Sequence, residues 1–168
     1  MEQKGITDAM TAVEQLCSEG EQCSLDVYGP VDDGYKQDFE RIIKSSPHVE
    51  YKGCVAPEES VEIVAGYDAL LFPTKWKPEG IPGTIIDALA AGVPVIASKW
   101  QYYDEMLEDG ATGFGCEMGS QNELTGAMRR YIALEDTRRT AMREACLKRA
   151  QAYSPKVVGE IVCRELSR

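Results

Sequence analysis

The sequence predicts an α/β fold with a doubly wound parallel sheet, Rossmann-like in kind. Short strands that are apolar on both faces alternate with helical segments along the chain. Such strands are typical of a parallel sheet that helices cover on both sides. The 168 residues suit one domain of this kind, with residues 137–168 forming a C-terminal helical segment.

In the first half, periodicity and turn residues predict each element in order. Helix 5–17 carries apolar residues at helical spacing, with Gly20 beyond its end. Gly29-Pro30 and Pro73 end two of the strands. The predicted elements are helices over 5–17 and 34–45, a short helix opening at Pro57, and strands over 25–28, 49–53 and 69–72.

The second half continues the alternation. A helix over about 82–91 closes at Gly92, and an apolar strand over 93–97 follows it. Ser120 and Glu123 form a predicted capping box. The remaining elements are a short strand over 113–116, a helix from Ser120 to about Leu134, a charged helix over 137–151 and a last helix after Ser154-Pro155.

Composition excludes several classes of function. The net charge of -10 disfavours nucleic-acid binding, because phosphates would be repelled. Six cysteines without a CxxC pair, and one histidine, disfavour a metal site. We interpret His48 as a surface turn residue rather than a general base.

The sequence also bears on location. The most apolar window, 81–97, is interrupted by Pro, Gly and Asp, whereas a bilayer needs about 20 apolar residues, so no membrane segment is expected. Scattered cysteines without a signal-peptide pattern favour a reducing, cytoplasmic setting.

The loop 73–84 holds the strongest candidate site. Gly80 and Gly83 precede a predicted helix whose first-turn N–H groups and dipole favour an anion. Lys75 and Lys77 can add positive charge. Because ligands of doubly wound folds bind at the carboxyl ends of strands, this loop is also in the expected place.

Two carboxylates flank that helix start. Asp87 is the only charged residue of its helix and lies about 6 Å along the axis from Gly83, with its side chain leaning toward the N-terminus. Glu79 can accept hydrogen bonds from hydroxyls. An anion site between two carboxylates suits a phosphate between two polyols, as in a nucleotide sugar. The alternative is that Asp87 only favours the helix dipole and Glu79 is solvated.

The stretch from Glu79 to Ala97, EGIPGTIIDALAAGVPVIA, resembles the signature of retaining family 4 glycosyltransferases, also called glycosyl transferases group 1. That signature is a Glu, seven residues, a second Glu, a short helix and Gly-x-Pro-Val. Lys4-Gly5 and the turn 109–114 resemble flanking elements of the family. The resemblance implies that residues 1–168 are one nucleotide-sugar-binding (donor) domain, half of a GT-B fold.

Roles follow from the resemblance position by position. Glu79 is implied as the catalytic-site residue that hydrogen-bonds the donor sugar, and Asp87 as the ligand of the ribose hydroxyls. Backbone N–H groups of Gly83 to Ile85 would bind the diphosphate, with Lys4 countering its charge and the base near Val55. The implied donor-binding residues are Lys4, Val55, Thr74, Gly80, Ile81, Gly83, Thr84, Ile85 and Asp87. Neither a metal nor a cofactor is implied.

The chain departs from the family pattern in three ways. Asp87 replaces the usual Glu, so its reach is one methylene shorter. Pro82 replaces a Gly and removes one N–H, for which the Thr84 hydroxyl could substitute. The first donor-domain strand with its Arg, and the N-terminal acceptor-binding domain, have no counterpart in the sequence.

The missing strand leaves two expectations for the sheet. In the order 3-2-1-4-5-6 it would lie between the strands over 25–28 and 69–72. Either these two close up on each other, or an edge stays open and invites pairing with another chain.

Two functions stay open from sequence. The first is the donor half of a hexosyltransferase of polysaccharide biosynthesis, transferring to a glycan or a lipid-linked acceptor. It would need an acceptor-binding domain in cis or in trans, be inactive alone, and reach the inner membrane face only through that domain. The second is a non-catalytic nucleotide or nucleotide-sugar-binding module. A flavodoxin-like response regulator fits poorly, because the acidic cluster that it needs has no coherent place here.

Overall fold

The computed structural model describes residues 2–167 and confirms the alternation of helices and strands. The α-helices and β-strands in chain order are α1 (Ile6–Ser18), β1 (Leu25–Tyr28), α2 (Lys36–Ser45), β2 (Val49–Gly53), α3 (Ser60–Val64), β3 (Leu70–Phe72), α4 (Gly83–Ala90), β4 (Val95–Ser98), α5 (Tyr103–Met106), β5 (Gly113–Cys116), α6 (Gln121–Ile132), α7 (Asp136–Ala150) and α8 (Pro155–Leu166). Short 3-10 helices precede α1 (Glu2–Lys4), α3 (Pro57–Glu59) and α8 (Gln151–Tyr153).

Local differences from the sequence prediction have physical causes. Strand β4 begins two residues later than predicted because Val93 lies in the turn that closes α4, where its N–H donates to the Ala88 carbonyl at 2.8 Å. Gly92 makes that helix ending possible with a φ of 66°. Helix α5 was not predicted, since four residues are too few to show helical periodicity.

The predicted capping box is only half present. The Ser120 hydroxyl accepts from the Glu123 N–H, as expected. The Glu123 carboxylate, however, accepts from the Glu117 N–H at 2.7 Å rather than from that of Ser120. The helix start is thus tied to the end of β5 instead of closing on itself.

All strand pairs are parallel, but the strands form two separate sheets within residues 2–167. One sheet is β2-β1 and the other is β3-β4-β5. The second expectation is therefore the one observed: β1 and β3 each keep an unpaired edge. Every residue of β4 and β5 is buried, whereas all three residues of β3 are only half-buried, which is the consequence of its open edge.

Helices cover both faces of the sheets. On one face α1 and α6 pack against β4 and β5, and on the other face α4, α5 and α7 do so. Helix α1 spans both sheets, because Val13 packs in the cluster of β4 and β5 while Met10 packs with Val27 of β1. In the part of the chain that the structure describes, no helix combines the length and apolarity needed to cross a membrane.

The start of the described chain lies at the carboxyl end of β3. The Lys75 N–H donates to the Gln3 carbonyl at 2.7 Å. Gly5 has a φ of +71°, and a Cβ there would lie 1.9 Å from the Pro73 oxygen, so only glycine fits this approach. Residues 3–5 are thereby fixed beside the loop that follows β3.

Candidate functional site

Glu79 is held by two donors from distant parts of the chain. Lys4 Nζ donates to its Oε2 atom at 2.6 Å, and Thr74 Oγ1 donates to the same oxygen at 3.0 Å. Glu79 is only 9% exposed, so it is not a solvated loop residue. No donor in residues 2–167 reaches the other oxygen, Oε1. The contacts fix the carboxylate and leave one oxygen for a ligand.

The N-terminus of α4 presents free N–H groups to solvent. The N–H groups of Gly83 and Thr84 find no acceptor among the described residues, and both residues are exposed. A Cβ added at Gly80 or Gly83 would meet nothing within 4 Å, so the space above this backbone is open. These N–H groups and the helix dipole suit an anion.

One expected donor is already used. The Ile85 N–H, which the resemblance assigns to the diphosphate, donates to the Pro82 carbonyl at 3.1 Å. This contact is the ordinary closure of the first turn, and it leaves Gly83 and Thr84 as the first-turn N–H groups without an acceptor in residues 2–167.

Asp87 lies half-buried in the second turn of α4. Ser60 Oγ donates to its Oδ2 atom at 2.7 Å. No cation of residues 2–167 pairs with Asp87. Because Ser60 begins α3, this bond joins the start of α3 to α4, and half-buried Val55 lies in the segment that precedes α3.

Trp100 packs against the loop 73–84 and is hydrogen-bonded to it. Its Nε1–H donates to the Gly80 carbonyl at 3.0 Å, and its ring meets those of Phe72 and Tyr103 edge-on at 5.9 Å and 5.7 Å. Above it, Ile81 is 65% exposed. The sequence patterns did not single out Trp100, although it follows a buried parallel strand, and the loops after such strands form the binding sites of these folds.

The two lysines Lys75 and Lys4, which were both expected to add positive charge to the site, make different contacts in the structure. Lys75 pairs with Asp8 at 2.7 Å and is therefore engaged on α1. Lys4 contacts Glu79, and its ammonium lies 5.8 Å from the centre of the Phe72 ring. Since half of the Lys4 side chain is exposed, the cation nearest to the predicted sugar-binding carboxylate is also open to solvent.

These observations define a Rossmann-like α/β domain in which a free helix N-terminus, two fixed carboxylates and an exposed lysine meet at the carboxyl ends of β3 and β4. Residues 1–150 match the family model for glycosyl transferases group 1. The chain belongs to the group 1 glycosyltransferases.

Individual relatives agree with this assignment. The chain is 31% identical over 160 residues to the glycogen synthase of Francisella philomiragia, covering 85% of this chain and 32% of that protein. It is 32% identical over 90 residues to an uncharacterized 41.2 kDa protein in the cps region of Klebsiella pneumoniae, covering 54% of this chain and 24% of that protein. The chain thus spans about a third or less of the curated relatives that it matches.

Solved structures share the fold. Anabaena HepE in complex with UDP superposes with a TM-score of 0.85 at 22% identity, over 99% of this chain and 46% of that one. Sucrose-phosphate synthase from Thermosynechococcus elongatus gives a TM-score of 0.82 at 20% identity, over 99% of this chain and 43% of that one. These likenesses establish a Rossmann-like half of a GT-B fold.

Proposed function

We propose that this chain is the donor-binding half of a retaining hexosyltransferase and binds a nucleoside-diphosphate sugar. The observation that carries the proposal is the exposed N-terminus of α4, with free N–H groups at Gly83 and Thr84, between the fixed carboxylates of Glu79 and Asp87. An anion site that lies between two carboxylates, each able to accept hydrogen bonds from hydroxyl groups, matches a nucleotide sugar, in which a diphosphate joins the ribose to the donor sugar.

In this proposal, each part of the nucleotide-sugar donor has its own binding residues. The diphosphate lies on the N–H groups of Gly83 and Thr84 beside Gly80. The donor sugar lies toward Glu79, whose Oε1 atom accepts from its hydroxyls. The ribose lies toward Asp87, and the base reaches the loop at Val55.

The same groups support glycosyl transfer. As the bond between the sugar and the diphosphate breaks, negative charge develops on the leaving oxygen. Preorganised N–H groups, the helix dipole and a nearby cation stabilise such charge. Lys4 supplies the cation, while Thr74 keeps Glu79 in position when the lysine turns toward the phosphate. The second reactant is an acceptor hydroxyl, whose oxygen forms the new bond to the sugar and whose proton is lost as the nucleoside diphosphate leaves.

We propose that another domain, in cis or in trans, supplies the surface that binds the acceptor. A transferase needs a second surface to hold a glycan or lipid-linked acceptor, and the relatives are two to three times as long as this chain. We propose that the chain alone does not turn over. Because HepE forms complexes with UDP and with UDP-glucose, these are the first two ligands to test on this chain.

Alkylation of Cys54 tests donor binding, because this exposed thiol directly precedes Val55. Cys54 and Cys163 are exposed and should react fastest with iodoacetamide at pH 8. Burial raises the pKa of Cys116 to about 11 and of Cys146 to about 12, which keeps these thiols protonated and slow. Saturating UDP should slow labelling of Cys54 several-fold, as read by peptide mass spectrometry.

Two controls are built into the experiment. Cys163 lies on α8 and should label at the same rate with and without UDP. Pyrophosphate should protect Cys54 much less, because it occupies the α4 end without reaching the base site. Unchanged Cys54 labelling at saturating UDP, ADP and GDP would contradict the proposed function.

A further inference from the structure

Ser60 holds Asp87 but has no ligand-binding role of its own in the proposed function. Its hydroxyl donates to Asp87 Oδ2 at 2.7 Å across 27 positions of sequence, and it joins α3 to α4. We propose that Ser60 is a positioning residue that orients the Asp87 carboxylate toward the ribose diol. This inference rests on the proposed function and assigns it a residue that sets the preference for ribose.

The chemistry of a short carboxylate explains why such a partner matters. The terminal torsion of Asp is broad and roughly two-fold, so a free carboxylate can present either edge. A hydroxyl bound to an ionised oxygen forms a strong, short hydrogen bond that favours one orientation. With Oδ2 occupied by Ser60, Oδ1 is the oxygen left to accept from a ribose hydroxyl.

The surroundings of Asp87 offer no other means of orientation. Its neighbours Ile85 and Ala88 on α4 are fully buried and apolar. Within residues 2–167, Oδ1 has no donor and the carboxylate has no ion pair. Ser60 is therefore the single polar side chain in the described part of the chain that fixes this group.

The test compares ligands that differ only at the ribose. Wild type should bind UDP more tightly than 2′,3′-dideoxy-UDP. S60A should weaken UDP binding by about tenfold, the loss expected when a hydrogen bond to a charged group no longer holds its partner. It should leave dideoxy-UDP binding unchanged, so the preference for ribose collapses. S60T keeps the hydroxyl and should restore the preference. Calorimetry measures the affinity of wild type, S60A and S60T for each of the two ligands.

The possible outcomes distinguish a failure of the role proposed for Ser60 from a failure of the proposed function. If wild type binds no nucleoside diphosphate, the proposed function fails. If wild type prefers ribose and S60A keeps the same preference, Ser60 has no positioning role. If S60A weakens UDP and dideoxy-UDP equally and lowers the melting temperature, Ser60 only docks α3 on α4, and the inference is overturned.

Discussion

Asp87→Asn should weaken the binding of a bare nucleoside diphosphate by about one to two orders of magnitude, corresponding to the ~1.5–3 kcal/mol of a hydrogen bond to a charged group. The change keeps the size of the side chain and removes its charge. Because Asp87 has no cation partner among the described residues, no ion pair is broken and the loss falls on the ligand. Calorimetric titration with UDP, ADP and GDP measures it.

Glu79→Gln should behave differently, because we propose that Glu79 contacts the donor sugar rather than the nucleotide. Affinity for the bare nucleoside diphosphate should barely change, while the gain in affinity that the attached sugar provides should be lost. Glu144→Gln, an exposed change of the same charge on α7, is the matched control and should alter neither. Equal losses of nucleoside diphosphate binding for Glu79→Gln and Asp87→Asn would contradict the two assigned roles.

Adding one strand should stabilise the chain markedly. β1 and β3 leave unpaired backbone groups and half-buried apolar side chains at the break between the sheets. Backbone N–H and C=O groups that are buried without a hydrogen bond reduce the stability of the fold. Residues 3–5 are fixed at the carboxyl end of β3, so a strand fused ahead of them can enter the break parallel to β3. About five Val- and Ile-rich residues match a buried strand.

The melting temperature should rise by several degrees, since ~1 kcal/mol shifts a domain of this size by about 2–4 °C. A Gly- and Ser-rich extension of the same length is the control and should have no such effect. We expect the unextended chain to be marginally stable, aggregation-prone or dimeric, with a mass in light scattering that depends on concentration. A monomer with a sharp, high melting transition, unaffected by the added strand, would contradict this account.

Local patterns in the sequence predicted most of the fold. Apolar runs such as 93–97 and 113–116 identified buried parallel strands, because both faces of such strands are covered. The Gly-rich entry to α4 and the isolated Asp87 identified the candidate site, because they depend on spacing within one loop and helix. The open edge was also among the expectations, since it follows from strand order.

Contacts between distant residues could not be predicted in the same way. The Lys4–Glu79 bond spans 75 positions and the Ser60–Asp87 bond spans 27. Neither leaves a periodic signal, because each depends on where the fold brings two elements together. The ion pair between Lys75 and Asp8 has the same origin, and it engages a cation that the position of Lys75 in the loop 73–84 had assigned to the site.

The most direct test of the central claim is an amide NMR titration of the full chain with UDP, ADP and GDP. Selective ¹⁵N-glycine and ¹⁵N-threonine labelling reports on Gly83 and Thr84, and Gly83→Ala identifies the Gly83 signal because an added Cβ there meets nothing within 4 Å. At least one nucleotide should cause saturable shifts that are largest at these two amides, and pyrophosphate should shift the same two signals. A folded chain in which no nucleoside diphosphate causes saturable shifts, or in which the shifts lie away from α4, would contradict the claim that this helix end binds the diphosphate of the donor.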